Sequence, residues 1–278
     1  MSSTTLPLAA PRVGLKPRKL LAGSAAAWAC TAIAGQLLFG AYVIALYGAA
    51  LWSGHPGRWN KFMTKAYTPG DWLANALTVS HLLFTVLVVI GGALQLLPML
   101  RRRLPAFHRW SGRLYVGSAA LLAAGGLTLL WTRGTVGDLT QHLGTSMNGL
   151  LVIALALLAW RAARRRQLDA HRRWALRLWL TVSGVWFFRI GLMLWIGVHQ
   201  GVVGFDEKTF SGPFLSFIAF AQTLMPLALL QLYLHAQAGR SAALQTGVAA
   251  LLALCTLLTA AGIAAASLMM WWPAIVSP

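Results

Sequence analysis

Seven apolar runs, most of them 20 residues or longer, alternate along the chain with short clusters of charge, proline and glycine. They fall at about 21–51, 73–98, 105–131, 139–160, 169–198, 213–235 and 244–272. About 20 apolar residues in a helix cross the roughly 30 Å of bilayer hydrocarbon, so each run predicts a membrane span. Strand-like alternation is absent, which argues against a β-barrel. The punctuation agrees with helix chemistry: Asp71 is placed to cap the second span, Pro105 to open the third in its first turn, and Asp169 to cap the fifth. The predicted fold is an all-α polytopic membrane helix bundle. It divides into a polar tail over 1–19, a transmembrane domain over 20–272 with a four-helix core over 73–198, and a short tail over 273–278.

Composition supports this reading. Of 278 residues, 58% are hydrophobic and 10% charged, with mean hydropathy +0.66, whereas a soluble domain is about a quarter charged. The net charge of +18 is unevenly placed. Seventeen of the 23 Lys and Arg lie in the N-terminal arm or in alternate loops, and five lie in the others. That bias orients the N-terminus and both arginine-rich corners toward the cytoplasm, and the C-terminus outward. The basic charge is therefore topogenic, with membrane lipids and their anionic headgroups at the cytoplasmic face as partners, and nucleic acid is set aside. Arg12, Lys16, Arg18 and Lys19 ahead of the first run resemble a secretory leader, but the length of the run predicts an uncleaved helix. Cys30 and Cys255 both lie inside apolar runs, where a disulfide is not expected. Tryptophans at 52, 72, 131, 160, 174, 195, 271 and 272 fall near span ends, as an interfacial belt requires.

Four histidines repeat with the helices. Arg101–Arg103 is followed five residues later by His108, and Arg164–Arg166 five residues later by His171. His81 and His142 precede these corners by one membrane-length run each. The unit of histidine, span, arginine triplet, histidine, span thus occurs twice in tandem. It predicts His108 and His171 at the inner face, and His81 and His142 in the outer half. Imidazoles facing one another across a bundle are the usual axial ligands of b-type haem, so these four are candidate iron ligands for one or two haems b. The bland alternative is that His108 and His171 anchor helix ends at the headgroup level and that His142 is simply hydrated. The topology and histidine placement resemble the transmembrane di-haem cytochromes b of the ascorbate-dependent ferric-reductase type, and that resemblance implies electron transfer.

Arg189 interrupts the run Val-Trp-Phe-Phe-Arg-Ile-Gly-Leu-Met-Leu. An arginine there costs about 2.5–3.5 kcal/mol even on the lenient insertion scale, so it predicts an anionic or strongly polar partner: a haem propionate, a quinone oxygen or a lipid headgroup. Snorkelling to the interface is the alternative. Counting depths places His81, Arg189 and Gln222 at one level, where they would line an outer-leaflet site. At the inner face Arg109, Arg113 and Arg172 would meet propionates or phosphates. No phosphate loop, nucleophile elbow, zinc spacing or intramembrane carboxylate pair is present in the sequence.

A second resemblance rests on His81 with Gly91-Gly92, Gln95 through Pro98 to Arg101, Pro105-Ala-Phe-His108-Arg109-Trp-Ser-Gly112-Arg113-Leu-Tyr115, Ala170-His171-Arg172-Arg173-Trp174 and Phe188-Arg189-Ile190. These are similar to a bacterial family of predicted membrane proteins known as domain of unknown function 2306, which implies residence in the bacterial inner membrane and brings no reaction with it. His142 falls outside the pattern, so a single haem or one quinone-like site stands beside the two-haem reading. The expected function is haem-dependent electron transfer across or within the bilayer, with a quinol as candidate donor and a redox protein as candidate partner. The alternatives are a transporter or anionic-ligand-binding protein using Arg189, and an accessory subunit without cofactor. Oligomeric state stays open.

Overall fold

Backbone groups inside hydrocarbon have no water to bond, so a spanning chain must close its hydrogen bonds internally. The computed structural model, which describes residues 15–276 except Phe62, Thr64, Thr135 and Val136, does so with helices; among the described residues the only pairing of strand type is an isolated bridge between Asp206 and Ser211. The helices are α1 (Leu15–Val43), α2 (Ala49–Trp52), α3 (Trp72–Leu96), α4 (Pro98–Arg103), α5 (Pro105–Arg133), α6 (Leu139–Arg164), α7 (Leu168–Val182), α8 (Gly184–His199), α9 (Pro213–Ala238), α10 (Ala242–Ala266) and α11 (Trp272–Val276). A π-helical turn, Ile44–Gly48, joins α1 to α2, and another, Ser267–Trp271, joins α10 to α11.

Helix starts follow side-chain chemistry. Asp71, Asp138 and Ser241 accept the backbone N–H of Ala74, Gln141 and Leu244 at 3.1, 3.0 and 3.2 Å, while Pro98, Pro105 and Pro213 open α4, α5 and α9.

Among the described residues six helices are long and apolar enough to span a membrane, and the α7–α8 pair makes a seventh if counted as one bent span. This is a multi-pass membrane protein. Packing runs in a closed circuit: α1 on α3, α3 on α5, α5 on α6, α6 on α9, α9 on α10, and α10 back on α1. The α7–α8 pair threads it, packing on α6, α9 and α10, and Leu178 to Thr181 are buried on every side. Small residues permit the close approaches. A Cβ on Gly262 of α10 would fall 2.8 Å from the Ile190 carbonyl of α8, and one on Gly144 of α6 would fall 2.9 Å from the Ala219 backbone of α9.

The continuous fifth span expected over 169–198 is instead broken at Ser183, where α7 and α8 meet with a bend of 48°. A bend frees carbonyls, and polar side chains from three other helices meet the exposed groups. Asn148 of α6 donates through Nδ2 to the Thr181 carbonyl at 2.8 Å and to the Thr223 hydroxyl of α9 at 2.7 Å. Ser183 Oγ donates to the Trp179 carbonyl at 2.7 Å and accepts from Gln36 Nε2 of α1 at 2.9 Å. All of these side chains are buried. Ordinary helix formers could have continued the span; this buried belt holds the bend.

Other expectations shift. Asp169 lies in the first turn of α7 and does not cap it; Gln167 occupies the cap position without a side-chain bond. Residues 15–19, expected in the polar tail, are helical, and α11 continues to Val276 through the expected C-terminal tail. The remainder of both tails, 1–14 and 277–278, lies outside the described residues. Trp271 is buried and not interfacial, whereas Trp52, Trp72, Trp131 and Trp272 are exposed as a belt requires.

Asn148→Leu removes the two hydrogen bonds that Asn148 donates at the bend, to the Thr181 carbonyl and the Thr223 hydroxyl. It should destabilise the protein by about 1–3 kcal/mol, read as a lower midpoint in reversible unfolding from mixed micelles. Stability equal to wild type would mean that the belt does not hold the bend.

Candidate functional site

The end of the bundle that carries the arginine triplets holds two histidines. His108 lies in the first turn of α5 and His171 in the first turn of α7. Both helices begin at this end because each follows an arginine corner, and the two rings lie within electrostatic range of each other. His171 Nδ1 lies 3.0 Å from the Ala159 carbonyl of α6. A carbonyl can only accept, so Nδ1 carries a proton and donates it there. His108 Nδ1 is buried without a partner. Arg101 is also within electrostatic range of His108, whereas Arg109, Arg113 and Arg172 are exposed. Arg113 lies over the Trp110 ring at 4.7 Å.

Deeper in the bundle, Val88, Tyr115, Ala119, Val152, Leu155, Ala156 and Leu178 close a buried core. Gly91 and Gly92 admit the Tyr115 ring, and Gly92 also admits Trp179; a Cβ at these positions would lie 3.2 and 3.0 Å from those rings. Tyr115 Oη, Ser118 Oγ and Trp179 Nε1 are buried there without hydrogen-bond partners.

The outer histidines are not brought together. The His81 ring lies against Gly126 of α5, where a Cβ would fall 3.0 Å from Cε1, and its Nδ1 is buried without a partner. His142 meets the Trp131 ring edge-on, centroids 6.1 Å apart. Gly126 and Trp131 are five residues apart on α5, which is roughly 7–8 Å of rise, and they lie on different faces. Counting from span ends missed this offset because it assumes that each helix enters the membrane at the same height.

Arg189 lies on α8 over the Phe39 ring of α1, with its Cζ 5.4 Å from the centroid. It is half-buried and makes no hydrogen bond or ion pair with any described residue. Tyr42, Tyr47 and His81 are within its electrostatic range. Gln222 does not join this group. Its Nε2 donates to the Ala219 carbonyl of its own helix at 2.8 Å, and α9 packs on the face of α8 that carries Gly191. Two residues apart is roughly 200° around a helix, so Arg189 and Gly191 look in nearly opposite directions.

The aromatic setting of Arg189 was not legible in the sequence. Phe39 and Tyr42 contact Trp271 at 5.7 and 6.1 Å between centroids, and Tyr47 meets Tyr42 at 6.3 Å and Trp59 at 6.1 Å. Trp59 belongs to the loop between α2 and α3, is 2% exposed, and donates its Nε1–H to the Tyr47 carbonyl at 3.2 Å. Arg133 holds this loop down. It reaches the carbonyls of Lys65 and Ala66, pairs with the Asp71 carboxylate at 3.0 Å and touches Asn75 Oδ1 at 3.3 Å.

Residues 78–206 match a family model described as predicted membrane protein (DUF2306). The match includes His81, His108, His171 and Arg189 and leaves α1, α9 and α10 outside it. No curated protein and no solved structure matches the chain.

The Ala74 N–H, and then Arg133, hold the exposed Asp71 carboxyl below its ordinary range. A lowered folded pKa gives stability that is complete above the unfolded value, about 4, and is lost as pH falls through the folded value. Proteolysis of the 53–71 loop should therefore rise as pH drops below about 4, and Asp71→Asn should be cleaved faster already at neutral pH. Equal cleavage of wild type and variant at pH 7 would contradict this.

Proposed function

We propose that this membrane protein holds one b-type haem at its arginine-rich end, between His108 and His171, and transfers electrons at that face with a quinol as candidate donor. The observation that supports the reading is that the first turns of α5 and α7 set two imidazoles at one end of the bundle within electrostatic range of each other, with the His171 Nδ1–H bonded to the Ala159 carbonyl. Iron-ligating histidines usually donate their second nitrogen to a carbonyl or carboxylate, which fixes the ring and leaves Nε2 for the metal. The bound haem would supply reversible one-electron chemistry.

The chain's own groups support such a guest. His108 and His171 offer imidazole nitrogens, and Arg101, close enough to act on His108, would neutralise a propionate. The closed core beneath keeps the guest near the membrane surface, within reach of a soluble or membrane-bound redox partner. The separation of His81 from His142 favours one haem over two, and with it electron transfer at one face over conduction through the bilayer.

Protein purified in detergent after expression with a haem precursor should show a Soret band and, on adding dithionite, a sharp α-band. His108→Ala and His171→Ala should each abolish the low-spin spectrum, and His142→Ala should leave it intact. A featureless spectrum from monodisperse wild-type protein would overturn the reading, and loss of the α-band in His142→Ala would restore the outer pair.

A further inference from the structure

We propose that Arg189 is the receptor for a phosphate group, bound in the half of the bundle opposite the arginine triplets. This site is separate from the histidine pair at the other end, and four observations point to it.

The first is the guanidinium itself. Five N–H donors in a fixed fork match two oxygens of one oxyanion, yet no described residue accepts from Arg189. Its nitrogens are not among the sealed polar atoms of the protein, so a small guest can reach them. Its charge lies instead over the Phe39 ring, 5.4 Å from the centroid.

The second is the sign of the surroundings. In the buried cluster that Arg189 adjoins, Tyr42 and Tyr47 bring hydroxyls that bond one another within range of its charge. The chain has five acidic residues, Asp71, Asp138, Asp169, Asp206 and Glu207, and every one lies at a helix end or in a loop. A cation without a protein acceptor calls for an anionic guest. A phosphate offers the guanidinium more acceptor oxygens than a carboxylate does.

The third is backbone geometry. The π-helical turns at Ile44–Gly48 and Ser267–Trp271 lie in neighbouring helices, and they carry Tyr47 and Trp271 into the cluster. Isolated π turns are uncommon and concentrate at functional sites, because the extra residue re-aims a side chain.

The fourth is the cover. Trp59 seals the outer side of Tyr47, and the loop that bears it is fastened by Arg133 to Asp71. The side chains packed about Arg189 are aromatic and aliphatic, which suits a phosphate carried on an amphiphile. A phospholipid headgroup and free inorganic phosphate share the chemistry, and experiment separates them.

The test compares wild type, Arg189→Gln, Arg189→Lys and Tyr42→Phe in a detergent free of phosphate. Phosphatidylglycerol is added and retained lipid is read by native mass spectrometry; inorganic phosphate is added separately and melting is followed. Arg189→Gln should retain at least tenfold less lipid than wild type, with Lys and Tyr42→Phe intermediate. Because the cation is unpaired when the site is empty, Arg189→Gln without ligand should melt at or above the wild-type temperature. Stabilisation of wild type by phosphatidylglycerol alone identifies a lipid source, and stabilisation by millimolar phosphate identifies a soluble one. Equal lipid retention by wild type and Arg189→Gln with no phosphate effect on either, or a lower melting temperature of ligand-free Arg189→Gln, would overturn the proposal.

Discussion

A polar group inside a bilayer must find a protein partner, because lipid offers none, and the architecture of this bundle turns on how that demand is met at Ser183. The bend between α7 and α8 exposes backbone acceptors in the middle of the molecule, and Asn148, Ser183, Gln36 and Thr223 engage that region and one another. These contacts tie α1, α6 and α9 to the threading pair. Apolar packing gives little preference between neighbouring helices and lipid tails, so this belt and the close glycine contacts carry much of the specificity.

Against that background the exceptions carry information. Most buried polar side chains have partners; those without them gather in a few places. His108, Tyr115, Ser118 and Trp179 lie toward the arginine-rich end, and His81, Trp186 and Trp271 lie with Arg189 in the rest of the core. The acidic residues that could answer Arg189 stand at helix ends or in loops. Capping explains why: Asp71 and Asp138 bond the first N–H groups of α3 and α6.

Much of the fold was legible because hydrocarbon thickness imposes the period of the sequence, and Asp71 and Pro105 mark helix starts as local chemistry predicts. The bend was not. Serine, threonine and glycine are common in membrane helices, and the residue that stabilises this bend, Asn148, is far away in sequence. The inner histidines could be placed at one end of the bundle because two equal corners fix their heights. His81 and His142 could not, because neither is referred to a common marker. Arg189 stood out as a charge in an apolar run, but its neighbours did not. Tyr47 and Trp271 sit in turns that depart from the 3.6-residue period, so their direction cannot be read from a regular helix.

The claim common to both proposed sites is that polar groups left without protein partners mark the seats of non-protein guests. A cryo-electron microscopy map of protein extracted with native lipid into nanodiscs tests it most directly. The account predicts non-protein density bridging His108 and His171 and a compact density within hydrogen-bonding distance of the Arg189 guanidinium. Side chains that pair with one another at both places, with only acyl-chain density nearby, would contradict it.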